Sequence, residues 1–232
     1  MFEKFRQYIP NLITFSSLTF GILAILLSYK NYLYLAGLLI LGSAFLDGLD
    51  GFSARKLNLQ SKIGIQLDSL VDMVSLGIAP IVITYLHLAQ RGYTSNWYII
   101  PFIVFAWCGA FRLARFNLQP QKSSSEDDSL GLTIGQAGVT LILAVLSDFS
   151  FTKFQIPIWF YIPLILVLSY FMISRITFQS ITWFFPSRSR TILVTLCGVL
   201  FLLIMPPFTI LLILSLGILS ISPVRALLIM IN

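Results

Sequence analysis

An all-α, polytopic transmembrane bundle of about eight helices follows from three features of this chain. Apolar residues make up 57% of its 232 positions and charged residues only 10%, far from the balance of a water-soluble domain. The apolar residues are gathered into eight nearly charge-free runs, at 12–29, 33–51, 65–88, 97–114, 132–149, 158–173, 191–205 and 208–231. Most approach the roughly 20 residues that cross a bilayer as a helix. If the runs alternate direction from cytoplasmic termini, 12 of the 15 Lys and Arg residues fall inside, and Lys30, Arg91 and Lys153 fall outside. That asymmetry obeys the positive-inside rule and puts both termini in the cytoplasm. No β-barrel alternation is visible. The net charge of +6 is then chiefly a topology signal, with attraction to anionic lipid headgroups added. A nucleic-acid partner is not expected, because the cations are dispersed among apolar helices.

The N-terminal MFEKFRQYI puts Phe2, Phe5 and Ile9 on one side, which predicts a short interfacial helix on the cytoplasmic surface. A cleavable signal peptide is not expected, since the first apolar run is long and lacks a small-residue cleavage site. Pro10 suits the first turn of helix one. Asn11 and Thr14, i and i+3 at its cytoplasmic end, suit either capping and helix–helix hydrogen bonds or contact with a polar ligand. The connector from Lys56 to Lys62 is too short for a separate domain, so helices two and three are adjacent and antiparallel. Helix three continues to Pro80, where a kink or loosening is expected. His87, the single histidine, lies near the outer end and is read as an interfacial polar residue without a partner acid. Trp97 and Trp159 fall at the outer interface, as aromatic belts do. Cys108 and Cys197 are read as small packing residues.

Helix four ends with Arg112 and Arg115, i and i+3 on one face at the cytoplasmic rim. They are either snorkelling anchors or anion-binding groups for a phosphate or carboxylate. The segment QKSSSEDDS that follows is polar, acidic and expected to be mobile. The last two runs speak only for packing or oligomer contacts. The eighth carries Pro223 and Arg225, where its helix can break.

The chemistry is concentrated in DGLDGFSARKLNLQSKIGIQLDSLVD, which carries Asp47, Asp50, Asp68 and Asp72. The i, i+3 and i, i+4 spacings put each pair on one helix face. Carboxylates at membrane depth are expensive and mark ion or substrate sites. Clustered anions need a counter-charge, and hard oxygen ligands suit a divalent ion such as Mg²⁺, Mn²⁺ or Ca²⁺. Gly51 and Gly64, each one turn from an acid, let a bulky group approach, and Arg55 and Lys56 supply cations for a phosphate. A cation channel or proton-coupled transporter would also use intramembrane acids, but it gives no reason for the glycine spacing or for Arg55. Its acids should also be spread across the bilayer rather than gathered at one rim.

The spacing Asp47-x2-Asp50-Gly51-x2-Ala54-Arg55-x8-Gly64-x3-Asp68-x3-Asp72 resembles the complete signature of the CDP-alcohol phosphotransferases. Ser69 and Met73 after the third and fourth acids, the string Phe111-Arg112-Leu113-Ala114-Arg115-Phe116-Asn117, and Ser169 to Arg175 are similar to the membrane-type phosphatidylserine synthase branch. Gly131-Leu132-Thr133-Ile134-Gly135-Gln136 departs from it, lacking the two prolines common there.

The resemblance implies transfer of a phosphatidyl group from CDP-diacylglycerol to L-serine with release of CMP. Inositol phosphate, glycerol phosphate or choline is the alternative acceptor. It implies two divalent ions, Mg²⁺ or Mn²⁺, on Asp47, Asp50, Asp68 and Asp72, with Asp72 as general base. The CDP cradle would comprise Gly51, Ala54, Arg55 and Gly64, with Asn11 and Thr14 beside the nucleotide. Arg112, Arg115, Asn117 and Arg175 are the acceptor or lipid-phosphate candidates. Residues 1–180 would form a six-helix catalytic domain and 181–232 two added helices. The expected setting is a homodimer in the cell (inner) membrane, its site facing the cytoplasm.

Overall fold

Backbone amides and carbonyls have no partner in hydrocarbon, so apolar runs of this length close their hydrogen bonds internally as helices. The computed structural model describes residues 9–57, 62–93, 95–118, 129–150, 155–178 and 207–231. Seven helices occur among them: α1 (Ile9–Tyr29), α2 (Leu33–Leu57), α3, α4 (Ile99–Leu118, entered through a 3-10 turn at Asn96–Tyr98), α5 (Ile134–Ser150), α6 (Ile158–Ile173) and α7 (Pro207–Ile231). α3 consists of Lys62–Asp72 and Ala79–Gln90 on either side of a π-helical turn, Met73–Ile78. Four stretches are long and apolar enough to cross a bilayer: Pro10–Tyr29, Leu33–Gly51, Ile63–Gln90 and Asn96–Leu118. Ile134–Phe149, Ile158–Ile173 and Leu211–Ile221 are apolar but shorter.

Seven of the eight expected runs thus have a helix, and the run at 191–205 lies outside the described residues, as do Cys197, residues 1–8 and the acidic linker at 121–128. α7 does not break at Pro223 but runs through it, as α6 runs through Pro163. Within a bundle, neighbouring groups re-satisfy the carbonyl that a proline leaves free.

α3 is the central helix, packed against α1, α2, α4 and α5, while α4 lies on α6 and α7 along α5. Leu76, Ile83, Phe105, Leu141, Ile142 and Tyr161 fill the interior. Trp97, Trp107 and Trp159 point outward, as suits a lipid-facing surface. Between α1 and α2 the contact is made by small hydroxyl residues. Ser17 and Ser43 pair at 2.8 Å, each hydroxyl also lies 3.1 Å from the other's carbonyl, and Ser75 of α3 donates to the Ser17 carbonyl at 3.3 Å.

The loosening expected at Pro80 is found one turn earlier. Pro80 has no N–H for the Leu76 carbonyl, and the helix adjusts by widening, with the Ala79 N–H bonded to the carbonyl of Val74. The Leu76 carbonyl is directed at Gly138 of α5, where a Cβ would strike it, and a Cβ on Gly21 of α1 would meet the backbone of Ser75. Glycine at both positions lets α1 and α5 close on the π turn. Gly138→Ala is expected to lower stability by about 1–3 kcal/mol, the usual range for overpacking, read as a fall in thermal midpoint of the detergent-solubilised protein. An unchanged midpoint would refute the close packing.

The end of the bundle away from the acid motif corrects one expectation. His87 is not a lone interfacial residue: its Nε2 lies 2.8 Å from Oδ2 of Asp148 on α5. The same oxygen accepts from Arg91 at 2.6 Å and from the Tyr161 hydroxyl at 2.8 Å. The other carboxylate oxygen accepts from the Ile156 N–H at 2.5 Å. A buried carboxylate needs such partners, and Asp148 lies 61 residues from His87 along the chain. Its hub ties together the ends of α3, α5 and α6 that lie away from the acid motif.

Candidate active site

At the opposite end, α2 and α3 bring their acids together. An i, i+3 pair on α2 and an i, i+4 pair on α3 face one another, and Asp47, Asp50 and Asp68 each offer an oxygen within 4.8 Å of the others. Asp47 is the centre, within hydrogen-bonding reach of both Asp68 and Asp72. Asp72 completes the group and keeps Oδ1 sealed from solvent with no hydrogen-bond partner. The four acids predicted from the sequence therefore form one cluster.

The donor set is made of hard carboxylate oxygens, and among the described residues the ion pairs are those of Asp148 alone. A divalent cation fits both observations: it takes such oxygens, and it supplies the positive charge that four crowded carboxylates and the bare Oδ1 of Asp72 lack.

Thr14 of α1 donates to Asp50 Oδ2 at 2.6 Å, and both residues are buried. Asn11, one turn earlier, is half-buried. Gly51 and Gly64 lie on α2 and α3 beside the acids. Ala54 and Arg55 continue α2, with side chains outside the described part of the structure.

The four residues proposed for anion recognition separate into different situations. Arg112 of α4 is 6% exposed, lies under the Phe116 ring at 5.1 Å, and acts electrostatically on Asp72 and Asp47. It makes no ion pair or hydrogen bond among the described residues. A nearly buried guanidinium in that state keeps its hydrogen-bonding capacity unused.

Arg115, one turn on, is spent on the backbone. It donates to the carbonyls of Leu130 (2.7 Å), Met172 (3.2 Å), Ile173 (3.1 Å) and Ser174 (3.3 Å). This fastens α4 to the end of α6 and to a two-residue antiparallel pairing of Ser129–Leu130 with Thr177–Phe178. Asn117 accepts from Ser69 at 3.1 Å and donates to Gln66 at 3.3 Å, tying α4 to the acid-bearing half of α3. Arg175 is exposed just beyond α6.

Gln66 and the bonding role of Ser69 were missed from the sequence, since neither has a charge or spacing that sets it apart. The segment that lacks the two prolines starts α5 with Thr133 as N-cap instead. The Gln136 N–H donates to Thr133 Oγ1 at 3.1 Å, the N-cap half of a capping box, and the Thr133 hydroxyl in turn donates to Gln136 Oε1 at 3.2 Å.

The helical bundle and the spacing of its acid cluster agree with the resemblance to the CDP-alcohol phosphotransferases. Residues 7–160 match the CDP-alcohol phosphatidyltransferase family, and the chain belongs to it. Relatives named CDP-diacylglycerol–serine O-phosphatidyltransferase include one from Helicobacter pylori strain J99, 36% identical over 180 residues that cover 75% of this chain and 74% of the relative. One from Bacillus subtilis is 34% identical over 183 residues, 74% of this chain and 90% of the relative. One from Methanocaldococcus jannaschii is 32% identical over 174 residues, 66% and 78% of the two chains.

Proposed function

We propose that the chain transfers the phosphatidyl group of CDP-diacylglycerol to the hydroxyl of L-serine, releasing CMP. The observation that carries this reading is the convergence of four acids, one with a bare oxygen, in a chain whose relatives are named for that reaction. The serine hydroxyl oxygen attacks the lipid-linked phosphorus. The new O–P bond forms, the bond from that phosphorus to the CMP oxygen breaks, and CMP leaves with the electron pair. The hydroxyl proton passes to Asp72, whose unpartnered Oδ1 suits a base acting on a positioned hydroxyl.

Two divalent ions, Mg²⁺ or Mn²⁺, held by Asp47, Asp50, Asp68 and Asp72, would neutralise the diphosphate and the charge on the departing CMP. Gly51, Ala54, Arg55 and Gly64 cradle CDP, with Asn11 alongside. Arg112 takes the carboxylate of serine. Arg115 and Asn117 hold the wall behind it, and Arg175 draws anionic groups to the rim. The proposal includes a catalytic unit of residues 1–180 with two further helices in 181–232. It also includes a homodimer and a cell-membrane location with the site open to the cytoplasm, supported by the Lys and Arg distribution and by family resemblance.

The test is CMP release by detergent-purified protein given CDP-diacylglycerol and Mn²⁺ or Mg²⁺, with serine, glycerol 3-phosphate, inositol phosphate and choline in parallel. Serine-dependent release is expected, abolished by chelator and by Asp72→Asn. Arg112→Ala should raise the KM for serine by about 10-fold or more while leaving that for CDP-diacylglycerol near its original value, as loss of a charge-assisted hydrogen bond predicts. Release with another alcohol instead would move the acceptor. No release with any would overturn the proposal.

A further inference from the structure

We infer that Thr14 is a positioning residue for the metal site: by holding one oxygen of Asp50 it fixes which oxygen that carboxylate presents to the cluster. The inference rests on the metal-site reading above and departs from a nucleotide contact at Thr14. Thr14 has a single hydroxyl hydrogen and two neighbouring acceptors, Asp50 Oδ2 at 2.6 Å and the Pro10 carbonyl at 3.0 Å. In α1 the Pro10 carbonyl is already served by the Thr14 backbone N–H, the regular i to i+4 bond. The carboxylate is the stronger acceptor and the closer one, so the hydrogen belongs to Asp50. Held at Oδ2, the Asp50 carboxylate is fixed in rotation, and with it the oxygen that it turns to the cluster.

The surroundings make this hold rigid. Thr14, Ser17 and Gly21 follow at i, i+3 and i+7, one face of α1. That face meets Asp50 and Ser43 of α2, seven residues apart and thus also on one face, and Ser75 of α3. The mutual bonds of Ser17 and Ser43 fix the rotation of α2 about its axis, and Thr14 then fixes the carboxylate at the end of that row. α1 offers no ligand itself, yet it orients one. Groups that hold a ligand from behind typically account for 10–100-fold in metal affinity.

The experiment is a Mn²⁺ titration of the full-length purified protein without substrate, with free Mn²⁺ read by electron paramagnetic resonance. Thr14→Val keeps the shape and removes the hydroxyl. It is expected to weaken Mn²⁺ binding by about 10–100-fold, and Thr14→Ser, which keeps the donor, should bind close to wild type. Ser16→Ala, on the exposed side of the same helix, should leave binding unchanged. CMP release by Thr14→Val should recover at high Mn²⁺, a KM effect for the ion rather than a loss of kcat.

Thermal midpoints without metal report whether each variant folds. If Thr14→Val does not, Thr14→Ala carries the same expectation, paired with the Ser variant. Wild-type affinity in a folded Val or Ala variant overturns the inference, as does a defect confined to CDP binding. Absence of Mn²⁺ binding by the wild-type protein overturns the metal-site reading itself, which is a different result.

Discussion

Asp47→Asn is expected to reduce CMP release by about 10³-fold, the scale of losing a charge-stabilising group at a reacting centre. The same substitution should raise the thermal midpoint of the metal-free protein. Asp47 lies within reach of Asp68 and Asp72 and shares its cluster with Asp50. Like charges a few Å apart repel by about 4 kcal/mol at an effective dielectric constant near 20, and a neutral amide at the centre relieves that repulsion. Mn²⁺ at 100 times its dissociation constant stabilises a folded protein by about 2.7 kcal/mol. That increment should be present in the wild type and missing in the variant. Paired activity and melting measurements with and without Mn²⁺ decide the matter. A variant that stays active, or still gains stability from Mn²⁺, would show that Asp47 is not the centre of an ion site.

Asp148→Asn should produce the largest loss of stability at a site remote from the chemistry. Asp148 is 5% exposed and receives His87, Arg91, Tyr161 and the Ile156 N–H. Removing its charge leaves Arg91 without its counter-ion. The expected cost is about 3 kcal/mol, the low end for a broken buried pair, because the Arg91 side chain is 16% exposed and regains some water. For a chain of this size that is a fall of roughly 6–12 °C in thermal midpoint. Serine-dependent activity per folded molecule at low temperature should persist, since the hub and the acid cluster occupy opposite ends of α3. A midpoint unchanged from wild type would reduce the hub to a surface ion pair.

The acid cluster was legible because its spacing is local. Helical periodicity alone puts Asp47 with Asp50 and Asp68 with Asp72 on common faces, and the short connector makes the two faces meet. Helix positions were legible for the same reason, since run length and apolarity leave a bilayer segment no other structure. What escaped depends on contacts between distant segments. His87 and Asp148 are separated by 61 positions, and only packing shows that they touch. Asp148 did carry a signal, being an acid inside an apolar run. Arg112 and Arg115 look equivalent by sequence, yet among the described residues one guanidinium makes no hydrogen bond or ion pair and the other holds four carbonyls. The π turn was foreshadowed by Pro80, but only packing shows Gly21 and Gly138 closing on it at Met73–Ile78.

That turn also gives α3 a defined phase. Each residue of an α-helix advances the direction of its side chains by about 100°, so one residue absorbed or released rotates everything beyond it by that angle. The half carrying Asp68 and Asp72 points at the acids of α2, and the half carrying His87 points at Asp148. An uninterrupted helix through the same residues would offset these two directions from one another. The six residues of Met73–Ile78 are thus the coupling at which two independently aimed halves of one helix are brought into alignment. The number of residues between the acids and the histidine is as much a part of the design as their identity.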